Sequence, residues 1–263
     1  MKRLSFLLIV LVSAACGKQS ESSSDGGSDA GNIDASSIDA SSIDASSIDA
    51  SSIDASGMPG DLATTGKSFF TDFNLTEYPI SESGAWTNVG LDWTQVKTES
   101  GRAFGTHTGN AYNDSYAHLN GFGPDVEVST VIYLDPTIKQ AYNEVEILLR
   151  WSDSAHDAHG YECNLNYQGG YAEIVRWNGA LGSYTYIGGG QGAGGGHTPV
   201  NGSVFKARIQ GNIITTYLDG MLIQTADITA VSGPVWTTGN PGMGFYNGDA
   251  GKYGFQSYSV VSP

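Results

Sequence analysis

Residues 67–263 are predicted to fold as an all-β, antiparallel sandwich of two sheets. Nine short runs either alternate apolar and polar residues or are rich in β-branched and aromatic residues. Turn-forming Gly, Asn and Asp pairs separate these runs, and only 136–143 and 227–231 suggest even one helical turn. The predicted strands are 125–134, 143–151, 160–167, 172–177, 183–187, 204–210, 213–218, 242–246 and 254–261.

The first sixteen residues have the pattern of an export signal. A positive start precedes an apolar run at 4–12, which is within the ~7–15 residues of a signal-peptide core and too short to span a bilayer. The following Ser-Ala-Ala-Cys at 13–16 resembles the lipobox of bacterial lipoproteins. That resemblance implies a signal peptide at 1–15, a lipid on Cys16 and, because Gly17 follows, an outer-membrane location in the cell envelope. The alternative is an ordinary secretory peptide that is cleaved near Ala15.

Residues 16–66 are predicted to be a flexible acidic tether. A Ser-Ser-Ile-Asp-Ala unit recurs in this segment, so that isoleucine returns every five residues. This period matches neither a helix nor a strand, and one small apolar side chain in five buries too little surface to offset chain entropy. We therefore expect a lipid-anchored linker that holds the domain at 67–263 away from the membrane.

The net charge of −15 is divided between the tether and the domain. Nine of the 27 acidic residues lie in 17–66, and the domain keeps 18 acidic against nine basic residues, a net charge of about −9. An acidic domain is not expected to bind nucleic acid. Two cysteines in the whole chain exclude a disulfide framework and a four-thiolate zinc site. A monomer is expected.

Several segments resemble one known family. The run Phe-Lys-Ala-Arg-Ile-Gln-Gly-Asn at 205–212, the Asp219-Gly220 hairpin and Gly-Asn-Pro-Gly-Met-Gly-Phe at 239–245 are similar to late strands of concanavalin A-like (laminin G-like, glucanase-like) jelly rolls. Asp-Phe-Asn at 72–74 with Trp86 resembles their first strand. The resemblance implies a jelly roll over 68–263. That fold hosts lectins, hydrolases, lyases and adhesion modules, and it often carries a structural calcium ion.

The strand at 143–151 holds the strongest candidates for chemistry. Alternation puts Glu144, Glu146, Leu148 and Arg150 on one face, and Val145, Ile147, Leu149 and Trp151 on the core face. The charged face either lines a ligand groove or is a solvated outer surface with ion pairs. Glu144 and Glu146 invite comparison with laminarinase-like hydrolases, but Leu148 and Leu149 stand where that motif needs its acid.

The loop that follows offers two further chemistries. Asp153, His156 and Asp157 are candidate metal ligands, although a solvated loop explains them better. His159 and Tyr161, with Arg150 and Asn164, resemble the acid–base groups of jelly-roll polysaccharide lyases, in which a cation neutralises a uronate carboxylate.

Aromatic and amide side chains near this region suit a saccharide. We expect ligand contacts from six residues: Trp151, Asn164, Asn166, Tyr167, Arg176 and Trp177. Seven glycines in 188–196 predict a loop at a groove rim, and Cys163 is expected to be a buried structural thiol.

The sequence therefore predicts an envelope-anchored protein that binds extracellular polysaccharide. One alternative is an enzyme, either a glycoside hydrolase or a uronate-directed lyase, that uses Glu144, Glu146, Arg150, His159 and Tyr161. Another is an adhesion or structural module with no saccharide site. Convergence of the charged strand face and the loop in one cleft would favour the enzyme.

Overall fold

The computed structural model describes residues 66–107, 112–246 and 249–263. The predicted signal peptide at 1–15, the lipidated Cys16 and all of the predicted tether except Gly66 lie outside the described residues. Within the described ranges, no helix is long and apolar enough to cross a membrane.

The described residues form fourteen strands, and no helix is found among them. All nine predicted strands are confirmed, most with small shifts of their ends, whereas neither 136–143 nor 227–231 contains a helical turn. Five further strands were not predicted: β1, β2, β3, β4 and β12. In chain order the strands are β1 Ser68–Thr71, β2 Thr94–Thr98, β3 Ala103–Gly105, β4 Ser115–His118, β5 Val126–Leu134, β6 Glu144–Ser154, β7 Asp157–Asn166, β8 Ala172–Gly179, β9 Tyr184–Tyr186, β10 Val204–Gln210, β11 Ile213–Leu218, β12 Met221–Asp227, β13 Asn240–Tyr246 and β14 Tyr253–Val261.

The strands build the two layers of a jelly-roll sandwich, as predicted. Hydrogen bonding runs in the order β12-β11-β10-β5-β14-β3-β2 through one layer and β4-β13-β6-β7-β8-β9 through the other, with β1 added on β14. The link between the layers is a parallel pairing of β2 with β4, and all other strand pairings are antiparallel.

The main core lies between the layers. It takes alternate side chains from each strand, such as Val128 and Ile132 of β5 and Ile147 of β6, all fully buried. Phe245 and Phe255 meet across the layers with ring centroids 5.1 Å apart. Cys163 is a fully buried free thiol in this core, which confirms its predicted structural role.

A β-bulge interrupts β6 and reverses which face its last residues occupy. Leu149 pairs with Tyr161, but the next pair is Ser152 with His159, so two residues of β6 oppose Gly160 alone. Arg150 has a φ of +49°, and the alternation shifts by one residue after it. Trp151 consequently packs on the outer face, whereas strict alternation predicts it in the core.

A glycine on β7 and a glycine directly before β13 make room for this bulge. Gly160 has a φ of +147°, and a Cβ placed there would lie 2.9 Å from the Arg150 carbonyl oxygen and from the Trp151 Cα. Gly239 has a φ of +132°, and its Cβ would overlap the Arg150 carbonyl group. The bulge is therefore specified by three segments that are far apart in the sequence.

Candidate functional site

A cleft of about 540 Å³ opens on the outer face of the β6–β7–β8 sheet. Alternation on these strands places Glu162, Asn164 and Glu173 toward it, because their sequence neighbours fill the core. Glu144 and Trp177 line it as well. Its wall is formed by six tyrosines: Tyr112, Tyr142, Tyr171, Tyr184, Tyr186 and Tyr246.

Strand register brings the acidic residues of the cleft together. Glu146 pairs with Asn164, and Leu148 pairs with Glu162, so the two glutamates are diagonal neighbours on adjoining strands. Asn164 pairs in turn with Glu173 on β8. Asp114 enters from the turn before β4. Carboxyl groups from four separate segments thus share one floor.

Most of these carboxyl groups accept specific hydrogen bonds. Glu162 accepts the Trp177 indole N–H at 2.6 Å and an Asn164 amide N–H at 3.1 Å. Tyr171 donates its hydroxyl to Glu144 at 2.5 Å, and the backbone N–H of Gly192 donates to Glu173 at 2.6 Å. The floor is therefore an ordered polar network with fixed side-chain positions.

Burial raises the pKa of the floor acids. It raises the pKa of Glu144 to about 8, with the nearby Glu162 carboxylate adding to the effect and the Tyr171 hydroxyl opposing it. Burial, followed by the proximity of Glu162, also raises the pKa of Asp114 and of Glu146. The pKa of Glu162 is raised by burial against the hydrogen bonds from Trp177 and Asn164. Protons or a cation must therefore offset the charge of this floor at neutral pH.

Three of the acids could hold a cation. Asp114, Glu146 and Glu162 each present a carboxylate oxygen within 4.8 Å of the other two. They are the one such group of metal-ligating side chains among the residues that the structure describes. Carboxylate oxygens suit hard cations such as Ca²⁺, Mg²⁺ and Mn²⁺.

An aromatic cluster supports one end of the cleft. Trp177 lies edge-on to Trp93 and Trp151, at centroid distances of 5.9 and 6.3 Å. Tyr184 continues the cluster outward, 5.7 Å from Trp177 and 5.5 Å from Tyr112. The rings hold one another in edge contacts and leave tyrosine surface along the opening.

The structure corrects the predicted placement of two arginines. Arg150 is 4% exposed, and the bulge turns its guanidinium away from the cleft, to the carbonyls of Pro124, Trp236 and Gly211 and the carboxylate of Asp125. Arg176 is 2% exposed and donates to Asn178 and to the carbonyls of Val231 and Ser232. Neither arginine is among the residues that line the cleft, and neither can neutralise a uronate carboxylate there.

His159 and Tyr161 also lie outside the cleft lining. Tyr161 is fully buried in the core, and its hydroxyl donates to the Trp236 carbonyl and accepts the Trp236 N–H. His159 stacks on the Trp236 ring at 4.3 Å and contacts Asp157. The predicted acid–base set of Arg150, His159 and Tyr161 is therefore not brought to the cleft.

Three predicted ligand-binding residues have structural positions instead. Trp151 is 2% exposed beneath the aromatic cluster. Asn166 is buried and donates to the carbonyls of Ala141 and Asn143. Tyr167 packs against the core beside Tyr253. By contrast, Asn164 and Trp177 line the cleft, as their predicted ligand-binding role requires.

The predicted metal candidates of the 153–159 loop do not converge. Asp153 accepts hydrogen bonds from the Tyr116 hydroxyl and the Val89 N–H and contacts His118. His156 contacts Asp92, and Asp157 contacts His159. Each is used in a separate pair, so the prediction of a metal site at Asp153, His156 and Asp157 is wrong.

Sequence reasoning missed Asp114, Glu162 and Glu173 as floor residues. A signal for Glu162 was present, because Glu162, Asn164 and Asn166 alternate with Tyr161, Cys163 and Leu165. The glycine-rich loop does reach the cleft, where Gln191 and Gly192 line it; this places the loop at the groove rim.

Comparisons with known proteins give similarity to solved structures alone. No protein-family model matches the chain, and no curated protein matches it. The carbohydrate-binding module CBM66 from Bacillus subtilis matches with 19% identity and a TM-score of 0.49, over 70% of this chain and 99% of the module.

Two solved enzyme structures match this chain at comparable identity and TM-score. A Bacillus licheniformis β-glucanase matches with 15% identity and a TM-score of 0.43, over 76% of this chain and all of the enzyme. A xylan β-1,4-xylosidase from Bacillus halodurans C-125 matches with 14% identity and a TM-score of 0.45, over 73% of this chain. The chain spans 39% of the length of that xylosidase. Since these TM-scores lie below 0.5, the function of the cleft is inferred from its own residues.

Proposed function

We propose that the cleft binds a neutral polysaccharide. The observation that carries this proposal is the combination of six tyrosines and Trp177 around a floor of carboxyl and amide groups. Aromatic faces stack on the C–H surfaces of sugar rings, and fixed polar groups orient the sugar hydroxyls.

The cleft offers an anionic glycan no cationic side chain. Asp114, Glu144, Glu162 and Glu173 line it, and no lysine, arginine or histidine is among the described lining residues. A uronate carboxylate bound there would lose its hydration without gaining a cationic partner among these residues. A uronate polymer is therefore expected to be excluded, which removes the main support for the lyase alternative.

The proposal is tested by migration of the full chain in native gels that contain one polysaccharide each. Neutral glucans, xylan and mannan form one group, and alginate and polygalacturonate form the other. We expect retardation by at least one neutral polymer and by neither anionic polymer. Retardation by no glycan would contradict the proposal and leave the adhesion or structural alternative.

Replacing Tyr142 with Ala should weaken glycan binding about tenfold, since a stacked aromatic at a binding surface contributes more than ~1 kcal/mol. Tyr142 is 69% exposed at the cleft, so the change should leave the fold intact. Phe70, which is 66% exposed on β1 and outside the cleft lining, provides the matched control Phe70→Ala. Equal affinities of the two variants would show that Tyr142 does not contact the glycan.

Cleavage of the bound glycan is the second candidate function. Glycoside hydrolases act through two carboxyl groups that flank the scissile bond, and Glu144 and Glu173 both line the cleft. In this proposal Glu144 donates its proton to the leaving glycosidic oxygen. The Glu173 carboxylate attacks the anomeric carbon or takes the proton of the water that does so. The test compares the rates at which the wild type and Glu144→Gln release reducing ends. The variant should be at least about 100-fold slower. An unchanged rate would remove Glu144 from the reaction.

We also propose that the protein is held at the cell envelope, at the outer membrane, by a lipid on Cys16, with 16–66 as its tether. Two or more acyl chains anchor a protein stably, whereas one alone binds marginally. Cys16→Ser is expected to move the protein from the membrane fraction to the soluble fraction. A variant that stays with membranes would overturn the lipid attachment.

A further inference from the structure

Three buried carboxylates lie together at the cleft, and two of them, Asp114 and Glu162, line it. Glu146, Glu162 and Asp114 are 2%, 6% and 8% exposed, and one oxygen of each lies within 4.8 Å of the other two. Like charges buried at this spacing repel strongly unless a positive charge compensates them. The described lining residues of the cleft include no lysine, arginine or histidine that could do so.

Two oxygens of this group have no hydrogen-bond partner among the described residues. They are Oε1 of Glu146 and Oδ1 of Asp114, both buried. An unpartnered buried carboxylate oxygen is costly, so each is an open position for a ligand. Glu162 keeps lone pairs free as well, since Trp177 and Asn164 each donate to one of its oxygens.

We propose that Asp114, Glu146 and Glu162 bind one divalent cation of the calcium class. Ca²⁺ bonds to oxygen at ~2.3–2.6 Å, so it can join oxygens that are up to ~4.6–5.2 Å apart. The spacing in this group fits that limit. Mg²⁺ has shorter bonds of ~2.0–2.1 Å and demands near-ideal octahedral geometry. Zinc prefers histidine and cysteine ligands, and neither type is present in the group.

Gly244 leaves the space that the Glu146 carboxylate occupies. It pairs with Glu146 across β13 and β6, and a Cβ at Gly244 would collide with Oε2 of Glu146. Gly244→Ala therefore displaces one ligand and changes no charge. This variant separates a defined site from general attraction to an acidic surface.

The test is terbium luminescence of the full chain, with calcium titrated by calorimetry at physiological ionic strength. Tb³⁺ replaces Ca²⁺ at oxygen sites and emits when a nearby tryptophan is excited. Trp177 contacts Glu162 directly, and the acidic tether contains no tryptophan. We expect sensitised emission that Ca²⁺ displaces. Glu146→Gln and Gly244→Ala should each lower calcium affinity at least tenfold.

Glu173→Gln is the matched control, because Glu173 is 8% exposed in the same cleft but lies outside the group. Its calcium affinity should stay within about threefold of the wild type. The inference is overturned if the wild type shows neither sensitised emission nor a calcium heat. It is also overturned if both group variants bind like the wild type, or if Glu173→Gln loses as much affinity as they do. No glycan is present, so this result is independent of the proposed function.

Discussion

The domain is expected to be more stable at pH 5 than at pH 8 in metal-free buffer. Burial raises the pKa of Glu144 from 4.5 to about 8. Between these values the folded state keeps the Glu144 proton and the unfolded state releases it, so stability falls as pH rises. One such group changes the free energy of unfolding by at most about 4 kcal/mol between pH 5 and pH 8.

Other ionisable groups add to this dependence of stability on pH or act in a different pH range. The pKa values of Asp114, Glu146 and Glu162 are also raised, so their contributions have the same sign. The pKa of Asp153 is lowered, because hydrogen bonds from His118, Val89 and Tyr116 outweigh its burial. Its stabilisation is lost only below about pH 4.

The change in stability with pH is measured by urea unfolding of the wild type and of Glu144→Gln at pH 5 and pH 8, with a chelator present. The two proteins differ only at position 144, so the difference between their two pH slopes isolates Glu144. The variant should lose the part of the slope that comes from one proton. Equal slopes in both proteins would show that Glu144 is ionised in the folded state at pH 7.

Arg150→Ala is expected to destabilise the domain by about 3–5 kcal/mol, as the loss of one partner from a buried charged network does. The change would remove the guanidinium that donates to Asp125 and to the carbonyls of Pro124, Trp236 and Gly211. Denaturant unfolding measures the loss.

Arg102→Ala is the comparison for this prediction. The Arg102 guanidinium is half-buried, donates to one carbonyl and lies over the Tyr133 ring, so its loss should cost only about 1 kcal/mol.

Folded Arg150→Ala should bind glycan as the wild type does, because Arg150 lies outside the cleft. A loss of binding without a loss of stability would instead indicate that Arg150 contacts the ligand.

The strands that the sequence predicted are those with clear alternation or a β-rich run. Val204–Gln210 and Ile213–Leu218 were predicted with their observed ends, since a tight turn joins two regular runs. The missed strands β1 to β4 have three to five residues each. Runs of this length show too few alternations to be recognised.

The position of Arg150 could not be predicted from local pattern. Strict alternation puts it on the face of Glu146. The bulge that moves it depends on Gly160 of β7 and on Gly239 just before β13, which are distant in the sequence. Similarly, Glu144 and Glu146 were identified from one strand. Asp114, Glu162 and Glu173 join them only through pairings between segments that are distant in the sequence.

Calorimetric titration with two oligosaccharides of equal length tests most directly whether the cleft binds neutral glycan. One is a neutral fragment of the polysaccharide that retards the chain most in gels, and the other is an oligogalacturonate. We expect the neutral fragment to bind and the oligogalacturonate to give no binding heat. Tyr142→Ala should weaken binding of the neutral fragment. Equal or tighter binding of the oligogalacturonate would contradict the account.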